Sequence, residues 1–184
     1  GIREPGTGSR EPGAAISFLV SPTAFFQTNV GAAEQLVRLV MEGVGPGAGR
    51  VLDLYCGSGL FSVPLAAAGA AVTAVEENRQ ATSDLQANLR LNKIDERRAR
   101  VICERAEDVL PRVIREAWDA VVLDPPREGC ATTVLAAVFE RMRPPRVVYV
   151  SCNPEALAGD LPGIRGAGYR LARAQAVDMF PHTD

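Results

Sequence analysis

Apolar residues along this chain fall into short unbroken runs, separated by longer stretches in which they recur at every third or fourth position. The runs Val51-Leu52, Ala71-Val72-Thr73-Ala74-Val75, Val101-Ile102-Cys103, Ala120-Val121-Val122-Leu123 and Val147-Val148-Tyr149-Val150 predict strands covered on both faces, because a half-exposed strand would alternate apolar and polar residues. Ala33, Leu36, Val37, Val40 and Met41 share one helical face, as do Phe61, Val63, Leu65 and Ala66, and again Ala81, Leu85, Ala87 and Leu91. Residues 109–117, 134–141 and 157–166 read as further helices, 16–20 as a short extended piece and 169–179 as a sixth strand. Thr28 or Asn29 is placed to cap the first helix. Strands alternating with helices at this spacing predict an α/β fold built on a doubly wound, mostly parallel sheet.

The polar residues of interest stand where strands end. Tyr55, Glu76, Asp124 and Cys152 each follow an apolar run, so a parallel sheet gathers them on one rim. Gly57 and Gly59 allow backbone angles closed to other residues and let a ligand lie against the main chain. Ser62 stands where a third glycine would complete a dinucleotide fingerprint, which disfavours pyrophosphate. Glu76, roughly 20 positions after the turn, is placed to accept hydrogen bonds from a ribose diol. Pro125 and Pro126 stop a strand and fix where Asp124 points. Asp124 is either a cap for the following helix or a group with chemistry. Cys152 is either a packed core thiol or, at a strand exit between Ser151 and Asn153-Pro154, a nucleophile. Cys56 suits packing inside the glycine turn, and Cys103 and Cys130 read as structural. Phe25-Phe26 reads as a plug at the core edge.

Composition narrows the classes. A chain of 184 residues, 47% hydrophobic and with a formal charge of −2, suits one domain with a full core. Residues 1–15, rich in Gly, Pro and charge, read as a tail or linker before a domain spanning 16–184. No apolar run approaches the roughly 18 residues of a membrane span, and no signal-peptide pattern opens the chain. The scattered cysteines lack a Cys-x-x-Cys pair, which speaks against a zinc or iron–sulfur site and favours a reducing cytoplasm. No basic excess marks a phosphate-gripping surface, so either the substrate is small or another part of a parent protein does the gripping. His182 is the only histidine, and no Gly-x-Ser-x-Gly elbow supports serine hydrolase chemistry.

Taken together, Phe25-Phe26-Gln27-x-Asn29, Asp53-Leu54-Tyr55-Cys56-Gly57-x-Gly59, Val75-Glu76, Asp124-Pro125-Pro126-Arg127-x-Gly129, Tyr149-Val150-Ser151-Cys152-Asn153-Pro154 and Asp178-Met179-Phe180-Pro181-His182-Thr183 resemble the S-adenosylmethionine-dependent RNA 5-methyluridine methyltransferases. These enzymes methylate uridine C5 in tRNA or large-subunit ribosomal RNA. The resemblance implies a class I, Rossmann-like methyltransferase domain. It implies that Gln27, Tyr55, Gly57, Gly59 and Glu76 hold S-adenosylmethionine, that Asp124 lies between cofactor and target uracil, and that Cys152 attacks uracil C6.

The chain also departs from the family pattern. That pattern continues from Phe-Pro-His-Thr into x-His-x-Glu, whose glutamate is the presumed base, whereas this sequence stops at Asp184; a catalytic domain lacking its last strand is the expectation. Arg105 stands where relatives carry a polar side chain facing adenine, and Leu60 replaces a frequently polar neighbour. Relatives often carry a small β-barrel RNA-binding domain before this one, and the expectation is a catalytic domain without it. Two other readings remain open. An amino-group or glutamine methyltransferase would resemble Asn-Pro-Pro-Tyr at the position of Asp124 and would not need Cys152. A fragment that binds cofactor or RNA without turnover is the other.

Overall fold

The computed structural model describes residues 15–21 and 29–179. The expected tail lies, except for Ala15, outside the described residues, as do Phe25, Phe26, Gln27, Thr28 and His182.

Strands β1 (Arg50–Leu54), β2 (Ala71–Val75), β3 (Ala99–Ile102), β4 (Ala120–Leu123) and β5 (Val147–Tyr149) form one parallel sheet in the order β3-β2-β1-β4-β5. From Val51, Val72 and Ala120 onward every residue of the three central strands is buried, Asp53 included. Alternate residues feed two cores. Val51, Val72, Ala74, Ala120 and Val122 pack with Val40, Val44, Phe61, Val63 and Leu85 on one face. Leu52, Leu54, Val75, Val121 and Leu123 pack with Val109, Leu110, Trp118, Val134 and Val138 on the other. The helices that cover these faces are α1 (Val30–Val44), α2 (Ser62–Ala67), α3 (Arg79–Leu91), α4 (Ala106–Val113), α5 (Thr132–Leu135) and α6 (Pro154–Gly166). Asn29 caps α1 by accepting from the Ala32 N–H at 3.2 Å, as its position predicts.

The strand order reverses direction between β1 and β4. Leu54 is in register with Leu123, so the segments that leave these strands part to either side of a crevice, the usual ligand position in such sheets.

Two expectations are corrected. Residues 169–179 form no strand: an extended segment becomes one only when a neighbour supplies a ladder, and no such pairing exists among the described residues. The helix expected over 134–141 begins at Thr132 and, from Ala136 to Met142, widens into a π-helix that ends on Arg143 at φ 52°.

The extended piece at the N-terminus is held by side chains rather than by a sheet. Ser17 N–H donates to Asn92 Oδ1 at 3.0 Å and Leu19 N–H to Asn88 Oδ1 at 2.6 Å, while Ser21 N–H donates to Asp84 Oδ2 at 2.9 Å. Asn92 and Asn88 return bonds from their amide nitrogens to the Ser17 and Leu19 carbonyls at 2.7 and 3.0 Å. Four helical residues rise about 6 Å and two extended residues about 6.6 Å, so alternate residues of the strap meet every fourth residue of α3. Asn88 also donates to the Ser58 carbonyl at 3.0 Å, tying the glycine turn to the same ladder. Asn88→Ala leaves the buried Ser58 carbonyl and the part-buried Leu19 backbone without these partners and is expected to lower the unfolding free energy by about 2 kcal/mol, measured by urea unfolding.

Candidate active site

At the end of β1 the chain turns sharply. Tyr55 takes φ 63°, Gly57 φ 52° and Gly59 φ 94°. At Gly59 a Cβ would fall 2.3 Å from Leu85 Cδ1, so close helix packing requires glycine there. At Gly57 a Cβ would meet nothing within 4 Å, leaving the backbone open to a ligand.

Glu76, the residue after β2, fastens this turn. Its Oε2 accepts from Gly57 N–H at 3.0 Å and its Oε1 from Asn78 N–H at 2.9 Å. Each oxygen keeps a further lone pair for a ligand hydroxyl. Asn78 in turn caps α3, accepting from the N–H groups of Gln80 and Ala81.

Asp124 follows β4, and its N–H donates to the Leu54 carbonyl at 3.3 Å. It does not cap the next helix, whose N-cap is Ala131. Burial, reinforced by the charge of Glu76, raises its pKa from 3.8 to about 7. Asp53, which sequence reasoning treated only as part of a motif, is completely buried. Burial raises its pKa to about 7 against the Ser62 hydrogen bond, with Asp124 and Glu76 adding to the rise. The Ser62 hydroxyl donates to Asp53 Oδ2 at 2.5 Å, which explains a serine where a dinucleotide fold would carry glycine. Asp53 Oδ1 and the Ser58 hydroxyl are buried without a protein partner. Three carboxyl groups thus crowd the crevice, and at neutral pH the fold resists ionising all of them.

A cleft of about 340 Å³ opens beside them, lined by Tyr55, Glu76, Glu77, Arg105, Glu107 and Cys130 among others. Arg105 lies within 4.0 Å of Glu77 and 3.4 Å of Glu107, so the rim around this lone arginine is acidic. Cys56 is buried and its thiol is pushed well up by burial and by Asp53. Cys130 is buried too, raised to about 12 chiefly by burial, and it has more polar company than its sequence position suggests: its N–H donates to Asp160 Oδ2 at 3.2 Å. Cys103, expected to be structural, is exposed, with its thiol 3.7 Å from the Glu77 carbonyl. Cys152 is also exposed, three residues beyond β5, and so is not a core thiol. No group of three potential metal ligands occurs among the described residues. No helix among them is long and apolar enough to cross a membrane.

The sequence profile of the tRNA (uracil-5-)-methyltransferase family matches residues 13–184. The chain belongs to that family. An uncharacterized RNA methyltransferase of Thermosynechococcus vestitus is 44% identical over 92% of this chain and 37% of the relative, and one of Gloeobacter violaceus is 42% identical over 90% and 35%. The chain therefore spans a little over a third of the length of these relatives. Among solved structures, the Pyrococcus abyssi tRNA (uracil-54, C5)-methyltransferase in complex with S-adenosyl-L-homocysteine superposes with a TM-score of 0.75 at 36% identity, covering 90% of this chain and 39% of that one. A precorrin-8w decarboxylase shares the fold alone, with a TM-score of 0.70 at 21% identity, over 88% of this chain and 87% of that one. The fold is the Rossmann-like one of S-adenosylmethionine-dependent methyltransferases.

The buried carboxyls make a signed prediction about stability. Asp53 and Asp124 keep their protons to about pH 7 when folded but lose them near the ordinary 3.8 when unfolded. Between those values the unfolded chain binds fewer protons, so folding stability is full at the acidic end and falls as pH rises toward 7. Urea unfolding should show a loss on the order of 2 kcal/mol for each of the two carboxyls between roughly pH 5 and 7.5, so the slope should be about halved in Asp53→Asn. A flat or rising profile would mean that both groups ionise normally.

Proposed function

We propose that residues 16–184 are the catalytic domain of an RNA uridine C5 methyltransferase, which transfers a methyl group from S-adenosylmethionine to uracil C5 in tRNA or ribosomal RNA through covalent addition of Cys152 to C6. The observation that carries this reading is the pairing, on one rim, of an acidic cleft at the β1–β4 crevice with an exposed thiol at the end of β5.

The cleft suits this cofactor. An acidic lining attracts a cationic ligand bearing amino and hydroxyl donors and repels the phosphates of a dinucleotide. Gly57 leaves room for close approach, Glu76 has spare acceptor capacity for a ribose diol, and Tyr55 supplies an aromatic wall. Gln27, which lies outside the described residues, is assigned to the same ligand by family resemblance. S-adenosylmethionine supplies an electrophilic methyl on a sulfonium.

Uracil C5 is a poor nucleophile, and Cys152 is assigned to correct that. Its thiolate forms a bond to C6, and the C5–C6 π pair moves toward the C4 carbonyl as an enolate. C5 then takes the methyl group, whose bond to sulfur breaks. A base removes the C5 proton, and elimination breaks the S–C6 bond and restores the thiolate. Asp124, whose pKa burial raises to about 7, is assigned to exchange a proton or a hydrogen bond with the base under attack. The free cysteines fit a reducing cytoplasm.

RNA containing 5-fluorouridine provides the test. Fluorine at C5 does not leave as a proton does, so the chain incubated with this RNA and S-adenosylmethionine should give a methylated, RNA-linked species in denaturing mass spectrometry. That species should vanish in Cys152→Ala. An equal yield of adduct in Cys152→Ala, or methyl transfer from that variant to unmodified RNA, would overturn the role of the thiol.

A further inference from the structure

The geometry points to Asn153 as a positioning residue that holds the Cys152 turn against the Asp124 loop; this rests on Cys152 being the nucleophile. Its side chain uses both ends. Asn153 Oδ1 accepts from Glu155 N–H at 3.0 Å and Ala156 N–H at 3.4 Å, which caps α6. Its Nδ2 donates to the Arg127 carbonyl at 2.9 Å, across to the loop that leaves β4. The cap is a local helix requirement. The second bond is not: beyond the last backbone bond between the two strand exits, from Val150 N–H to the Leu123 carbonyl at 2.8 Å, it ties the loop after the short, half-exposed β5 to the loop after β4.

Neighbouring bonds make this junction stiff. The Ser151 hydroxyl donates to the Asn153 carbonyl at 2.9 Å and accepts from the Asn153 N–H at 3.1 Å, pinning the backbone on both sides of Cys152. About two helical turns further along α6, Asp160 Oδ2 accepts from the Tyr149 hydroxyl at 2.6 Å and from Cys130 N–H at 3.2 Å, a second clasp between β5, α6 and the same loop. Gly129 and Cys130 of that loop also wall the cleft. One loop therefore carries Asp124, borders the ligand cleft and is fastened to the nucleophile's turn. Asn153 sets how far the thiol stands from a uracil placed over Asp124, and a misplacement of about 1 Å in such a geometry costs on the order of a hundredfold in rate.

Asn153→Ser and Asn153→Asp separate the two jobs. Both retain an oxygen able to cap α6, and neither has an amide to give Arg127. In the full chain, both should melt within about 3 °C of the parent and bind S-adenosylhomocysteine and RNA with Kd values within about twofold. Single-turnover adduct formation with 5-fluorouridine RNA, at saturating RNA and cofactor, should fall about tenfold or more in each. The added carboxylate of Asn153→Asp should also move the pH–rate profile upward, whereas Asn153→Ser should not, so the loss they share isolates the amide bond. Cys152→Ala is run alongside. An adduct that survives in Cys152→Ala removes the nucleophile and this inference with it. An adduct lost in Cys152→Ala but formed at the parent rate by Asn153→Ser, or by Asn153→Asp once its pH profile is corrected, overturns the positioning role alone.

Discussion

The carboxylate of Glu76 is the interaction on which the site depends. With one oxygen on Gly57 N–H and the other on Asn78 N–H, it joins the exit of β1, the exit of β2 and the start of α3. Its position follows from the sheet: β1 and β2 run in register from Arg50–Ala71 to Leu54–Val75, so the residue after β2 must lie beside the glycine turn. The same register argument puts Asp124 beside it on the other flank of β1. The fold has no freedom to separate these acids without unpairing its central strands. It tolerates them by keeping Asp53 and Asp124 protonated near neutrality, which leaves a crevice best relieved by a positively charged ligand.

Helix α3 is the second constraint. It carries the Asn78 cap, packs Leu85 against Gly59, and, with its C-cap Asn92, offers Asp84 and Asn88 to the N-terminal strap. Asn88 serves the strap and the glycine turn at once, so strain in one reaches the other. The strap enters directly into the segment that bears Gln27, and the ladder fixes the point from which that segment departs.

Much of the fold was legible because central parallel strands are covered on both faces and show as unbroken apolar runs; β2 and β4 lie where the sequence puts them. Residues 169–179 misled because their extended pattern says nothing about a partner. The π-helix after Leu135 left no mark because the extra residue per turn keeps enough apolar residues facing the core. At the site, Tyr55, Glu76, Asp124 and Cys152 were visible as polar residues at strand ends. The supporting contacts were not. Ser62 reaches Asp53 from nine positions away and Asn153 reaches Arg127 from twenty-six, separations that only the folded chain makes short. The signal available for Asp53 was an acid inside an apolar strand, which needs either a partner or a proton.

The most direct measurement of this account is calorimetric titration of the chain with S-adenosylmethionine and, separately, with NAD+ near neutral pH in buffers of different ionisation enthalpy. S-adenosylmethionine should bind at least about tenfold more tightly and release protons as the cationic ligand draws the crevice carboxyls into ionisation, with affinity lost in Glu76→Gln. Equal or tighter binding of NAD+, or binding of S-adenosylmethionine that is indifferent to Glu76 and to the buffer, would contradict it.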